Sequence, residues 1–197
     1  VKFRCEGGYV SHGSVNEGAI LGISQTSNSS TGITRYFWYG EHEGVHSANL
    51  EGGAVSCSTE DFEIWRNEGT LFSYKNVSDF VNGFGGNYSI QRPKVLYNNK
   101  TGQYVMWMTI TNETDKFGMA GVATSRFPGG PFDFIRSFYP DGNETRDQAV
   151  FQKADGSAYL IRTYYATVDY VLPLPVMQPM WESVRNSDGS INFGLSY

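Results

Sequence analysis

The chain has 197 residues, 18% of them charged and 15% aromatic, with 23 glycines and a formal net charge of -5. That is enough for one domain with a real core, and the wealth of Tyr, Phe and Gly predicts an all-β fold with many tight turns. The acidic balance, without a Lys/Arg cluster, excludes nucleic acid and an acidic membrane surface as partners, and no run of about 18 apolar residues is present to span a bilayer.

In chain order, Val1-Lys2-Phe3-Arg4-Cys5 does not read as a signal peptide, and a processed chain would have lost one. Cys5 and Cys57 allow one disulfide in an oxidising compartment, or two thiols. Arg35 to Gly40 is an aromatic strand, Gly53 to Ser58 a small-residue strand, and Phe62 to Trp65 an aromatic edge segment. Within this stretch His42-Glu43-Gly44-Val45-His46 fits a zinc-protease spacing. That motif needs a helix to put both His on one face, and here a β-type run ends at Gly40 just before it, so no metal site is expected. A single helical turn is conceivable only around Ser78 to Asn82.

Ser89 to Met108 reads as a β-hairpin: an apolar run, the turn Asn98-Asn99-Lys100-Thr101-Gly102, and a second apolar run. From Gln103 to Met108, Gly121 to Ser125 and Pro131 to Phe134 the first pattern repeats: aromatic strand, small-residue strand, aromatic edge. A third copy starts at Ala149-Val150-Phe151-Gln152, turns at Asp155-Gly156, a pair expected to take positive φ at both positions, and runs through Ala158 to Ile161. Units of about 40–50 residues with short strands predict β-propeller blades. Residues 1–165 are read as blades 1 to 3. Residues 166–197 are read as a Pro-punctuated connector (Val171 to Trp181) and the start of a further hairpin at Asp188-Gly189, which makes the propeller incomplete in this chain.

Six Asn-x-Ser/Thr sequons, at Asn28, Asn76, Asn87, Asn99, Asn112 and Asn143, several of them at turns, point to a secreted or cell-surface glycoprotein.

The motifs resemble those of glycoside hydrolase family 43, in its branch of exo-β-1,3-galactanase-like five-bladed propellers. Tyr36-Phe37-Trp38-Tyr39-Gly40-Glu41 is similar to the family's Tyr-Tyr-Trp-Tyr-Gly-Glu strand end. Gln91-Arg92-Pro93-Lys94-Val95 is similar to Glu-Arg-Pro-Lys-Val, and Thr145-Arg146-Asp147 to Ser-Arg-Asp. The resemblance implies a funnel site fed by strands of different blades. Inverting glycoside hydrolysis there needs two carboxylates, roughly 6.5–9.5 Å apart. Asp147 and Glu41 are the candidate catalytic carboxylates, and Gln91, Arg92, Arg146 and a stacking Trp38 the candidate substrate contacts. No cofactor is expected.

Three departures from the family pattern weigh against catalysis. Gln91 stands where relatives carry Glu, and an amide has no proton of its own to trade. Asn16-Glu17-Gly18-Ala19-Ile20-Leu21 lacks the family's leading His. No Glu-Ala-Pro-like acid motif occurs, the nearest residue being Glu182. The expected function is therefore recognition of β-linked galactan or a related glycan by a module with degenerate or incomplete catalytic apparatus, inside a larger extracellular assembly. The alternatives are an active inverting hydrolase of which this is a fragment, and a structural subunit that self-associates or joins other extracellular chains through free strand edges.

Overall fold

The computed structural model describes residues 26–28, 32–42, 53–73, 75–78, 88–112, 118–164 and 174–179. Their strands form three antiparallel sheets. Blade 1 is β1 (Thr26–Asn28), β2 (Ile33–His42), β3 (Gly53–Thr59) and β4 (Arg66–Ser73), in that order. A one-turn helix, α1 (Lys75–Ser78), follows. Blade 2 is β5 (Tyr88–Asn98), β6 (Gln103–Asn112), β7 (Gly118–Ser125) and β8 (Asp133–Phe138), again in chain order. A 3-10 turn at Pro140–Gly142 leads to blade 3, where β9 (Gln148–Gln152), β10 (Ala158–Tyr164) and β11 (Leu174–Pro179) pair in sequence. Each chain segment thus returns beside the one before it, as the sequence repeat predicts.

The β5–β6 hairpin shows how the sequence sets this pattern. Gly102 takes φ 68°, a left-handed conformation that costs glycine little, and its N–H donates to the Asn98 carbonyl at 2.8 Å. That closure pairs Asn98 with Gln103 and carries the register through Leu96–Val105 to Ile90–Ile110. Side chains alternate across β6 with period two. Tyr104, Met106, Met108 and Ile110 join Phe37, Tyr39, Leu71 and Phe72 in a core between blades 1 and 2. Val105 and Trp107 face the other way, into a core with Val122, Ala158 and Leu160 between blades 2 and 3. Met106, Trp107 and Met108 are all fully buried, which explains why β6 reads as a continuous apolar run. At about 1.5–3 kcal/mol for each large side chain buried, these two cores bind the sheets face to face.

Three expectations need correction. The outer strand of blade 1 is β4, Arg66–Ser73, and Phe62 to Trp65 form the loop that leads into it. Its polar first half, exposed from Arg66 to Glu68, hid the strand from an apolar-pattern reading. Blade 3 does not stop at 165. Leu174–Pro179 pairs with β10, opposite Tyr159 to Tyr164. Pro175 and Pro179 are tolerated because β11 ends its sheet among the described residues, where a missing N–H need not break a ladder. At the Asp155-Gly156 turn only Gly156 takes a positive φ, 87°, and its N–H donates to the Lys153 carbonyl, so this is not a turn with both positions left-handed. A one-turn helix ends at Ser78, and the rest of the turn expected up to Asn82 lies outside the described residues. The segments at Asn16 to Leu21, Glu182 and Asp188-Gly189 fall outside the described residues.

Candidate functional site

Three elements meet at one end of the blades: the last residues of β2, the first of β5, and the residue before β9. The meeting depends on a local irregularity. Between Gln91 and Lys94 the register of β5 against β6 shifts, and Arg92 takes φ 54°. A left-handed conformation is uncommon for a side chain this long, and a residue before proline ordinarily stays extended. The bulge turns the Arg92 peptide and guanidinium out of the ladder, as bulges beside functional sites commonly do.

Both groups are then held from neighbouring blades. The Arg92 backbone N–H donates to Glu41 Oε2 of blade 1 at 2.8 Å. The Arg92 Nε donates to Asp147 Oδ1, at the entry to blade 3, also at 2.8 Å. Glu41 reaches Arg92 because it shares the blade-2 face of β2 with Phe37 and Tyr39, four and two residues earlier. Asp147 is fixed through its backbone. The Thr163 N–H donates to the Asp147 carbonyl at 2.9 Å, and the Arg146 N–H to the Thr163 carbonyl at 3.0 Å. The Thr109 hydroxyl donates to the Arg146 carbonyl at 2.6 Å, tying this entry loop to β6. The Asp147 side chain stays 67% exposed, so its carboxylate is open to a ligand while its main chain is anchored.

Lys94 stands beside this trio. It is 3% exposed, and its ammonium donates at 3.5 Å to the Pro93 carbonyl. Burial pulls its pKa down, the Arg92 charge lowers it further, and Glu41 and Asp147 pull it back up. Lys94 belongs to the Gln91–Val95 motif, and its place directly after Pro93 is the signal the sequence carries for it.

Gln91 is half-buried and pairs across the sheet with Thr109, whose hydroxyl points toward blade 3, so the amide lies on that side of β5. Arg146 is directed elsewhere: its Nη2 pairs with Glu144 Oε2 at 3.1 Å. Trp38 is 7% exposed and packs with Cys57 and Trp65 on the face of β2 turned away from Glu41. A Cβ at Gly40 would fall 2.2 Å from its indole, so the ring lies flat over that glycine. The structure thus joins Glu41, Arg92 and Asp147, with Gln91 next to Arg92 in the chain, and leaves Trp38 on the other face of β2. His42 closes β2 as a strand residue, and His46 is outside the described residues. Among the described residues no group of His, Cys, Asp and Glu has the arrangement of a metal site. Cys57 is disulfide-bonded, and Cys5 lies outside the described residues.

Chemically, the cluster offers carboxylate acceptors, a guanidinium donor and an amide that both donates and accepts, where the end of β2, the bulge of β5 and the residue before β9 meet. That inventory suits a polyhydroxyl ligand.

The fold is that of family 43 five-bladed propellers, seen here in part. An exo-β-1,3-galactanase from Phanerochaete chrysosporium, solved with β-1,3-galactotriose, superposes with a TM-score of 0.59 at 28% identity, over 74% of this chain and 32% of that one. One from Clostridium thermocellum gives 0.56 at 30% identity, over 75% and 36%. A GH43 β-1,3-galactosidase solved with galactodeoxynojirimycin gives 0.53 at 26% identity, over 66% and 51%. The chain spans about a third to a half of the length of these structures. Neither the protein-family models nor the curated protein sequences give a match.

Proposed function

We propose, for a chain whose blades are those of the exo-β-1,3-galactanase-like propellers of glycoside hydrolase family 43, that it recognises β-linked galactan or a related glycan at Glu41, Gln91, Arg92 and Asp147 without hydrolysing it. The observation that carries this reading is the Arg92 bridge. One residue is oriented by blade 1 through its backbone and by blade 3 through its side chain, so the donors and acceptors are set before a ligand arrives. Such preorganisation lowers the ordering cost of binding. Gln91, in the place of the family's Glu, holds hydroxyls but carries no titrating proton.

The module belongs to a secreted or cell-surface glycoprotein in this reading. Asn76, Asn99 and Asn143 are exposed, as glycan acceptors must be, and Cys57 is disulfide-bonded. Asn28 and Asn112 sit in strands and Asn87 lies outside the described residues, so all six remain candidate acceptors. No helix among the described residues is long and apolar enough to cross a membrane. The second reading is an inverting hydrolase of which this chain is a part. It is favoured by the names of the relatives and by the share of their length that the chain spans.

The test is incubation with debranched β-1,3-galactan, with free galactose measured against a buffer control, beside retention of the polymer on immobilised protein. Retention without release is the expected result, with Asp147→Ala retaining at least tenfold less. Release of galactose overturns the non-hydrolytic reading in favour of the second. Neither release nor retention overturns both and leaves a structural subunit, which would polymerise as its concentration rises.

A further inference from the structure

Far from Arg92, the start of β2 and the loop from β3 to β4 border a shallow depression of about 70 Å³, open to solvent. Its floor is Ser58 and Thr59, both buried. One wall is an ionic fork: Arg35 Nη2 pairs with Glu60 Oε1 at 2.8 Å, and Arg66 Nη1 approaches the same oxygen at 3.8 Å. Both contacts fall on Oε1, which leaves Oε2 as an acceptor. Ile64, 56% exposed, lines the depression as well.

That apolar lining is built at a cost. Phe62 takes φ 63°, a strained conformation for a bulky side chain. It is held there by the Thr59 hydroxyl, which accepts the Phe62 N–H at 2.9 Å, and by Asp61 Oδ1, which accepts the N–H groups of Glu63 and Ile64 at 2.8 Å each. The loop so fixed leaves Phe62 53% exposed, with its ring 4.4 Å from that of Tyr36. A polar fork beside an exposed apolar side chain offers hydrogen-bonding groups and an apolar contact to the same ligand. The lining charges cancel, Arg35 and Arg66 against Glu60 and Asp61, so a charged ligand would be left uncompensated there while hydroxyls find both donors and acceptors.

The geometry points to a second glycan-contact site on blade 1, a shallow surface that one edge of a neutral hexopyranose covers through the Arg35–Glu60–Arg66 fork and the Ile64 side chain. It rests on the proposed glycan-binding reading for its class of ligand, but not for its place. Arg35 and Glu41 are six residues apart on β2, about 20 Å at the rise of an extended strand. Two contact sites on one module strengthen capture of a polymer over a short oligosaccharide by raising effective concentration.

The experiment is titration of isotope-labelled protein with β-1,3-galactotriose, followed by NMR shifts of backbone and guanidinium N–H groups. Shifts are expected in two groups, one at Arg35, Glu60, Ile64 and Arg66 and one at Glu41, Arg92 and Asp147. The exposed double variant Ile64→Ala, Arg66→Ala should weaken the first group at least tenfold and leave the second in place. Shifts at blade 1 alone would support this site and overturn the Arg92 reading. Shifts at Arg92 alone, or a double variant that binds as the parent does, would overturn this site. No shifts anywhere would overturn both.

Discussion

Arg92 shows how one residue carries two separable jobs. Its left-handed backbone presents an N–H to Glu41, and its side chain meets Asp147. A glycine accepts that backbone freely, whereas alanine keeps the strain and loses the ion pair. Arg92→Gly is therefore expected to be more stable than Arg92→Ala by about 1 kcal/mol, seen as a higher urea midpoint, while both lose galactan retention at least tenfold. Equal midpoints would mean that the φ of 54° carries no strain. Lys94 gives a second prediction. Burial holds its pKa below the usual 10.5, so the folded chain binds that proton less tightly than the unfolded one. The ammonium then costs stability at neutral pH, and the cost fades as pH rises through the folded pKa toward 10.5. Lys94→Met should be more stable than the parent at pH 7, by about 1 kcal/mol. That gain should vanish on approach to pH 10.5, as followed by urea unfolding across the range. A loss of stability at pH 7 would show instead that Glu41 and Asp147 need the charge.

At the scale of elements, the site depends on how closely the entry loop of blade 3 packs on blade 2. Gly118, the first residue of β7, accepts the Thr145 N–H at 2.9 Å, and a Cβ there would fall 2.1 Å from the Thr145 carbonyl oxygen. Backbone cannot swing aside as a side chain can. Gly118→Ala is expected to cost about 1–3 kcal/mol. It should also weaken galactan retention, because the loop it pushes away carries Arg146 and Asp147. Unfolding midpoints and retention on the same preparation check both halves; a stable variant that binds normally would mean the loop relaxes freely. The hairpin of β5 and β6 was legible in the sequence because its turn chemistry and its alternation agree. β4 and β11 were not. β4 opens on Arg66, Asn67 and Glu68, exposed residues without an apolar pattern, and β11 holds two prolines that argue against a strand until its place at the end of the described sheet is known. The site was legible in part. Motif identity marked Glu41, Gln91, Arg92 and Asp147. The bulge that turns Arg92 toward both neighbours has no signature beyond its proline. Trp38 was misplaced because an aromatic strand has two faces, and only the packing decides which one meets the site.

Across the whole molecule, blade 2 is covered on both faces while each neighbour shares one face with it. The core between blades 1 and 2 and the core between blades 2 and 3 both draw on β6, through alternate side chains of a single strand. To open either core is to expose one face of β6; to expose all of it requires opening both. Protection from exchange rises toward the global unfolding free energy where opening requires the whole fold to come apart. Hydrogen exchange is therefore expected to be slowest at the N–H groups of Met106, Trp107 and Met108, all fully buried. It should be faster in β10, which contributes Ala158 and Leu160 to one core only, and fastest in β4, whose first three residues are exposed. The order bears on recognition as well. The Arg92 bulge sits on β5, the partner of β6, while Glu41 and Asp147 come from blades 1 and 3, so sub-global opening of either neighbour withdraws one carboxylate and leaves the guanidinium in place. Galactotriose that contacts both carboxylates should slow exchange in β2 and β10 more than in β6, where little is left to gain. Equal slowing in all three strands would mean that the blades open only together, and that the ligand stabilises the fold without joining its parts.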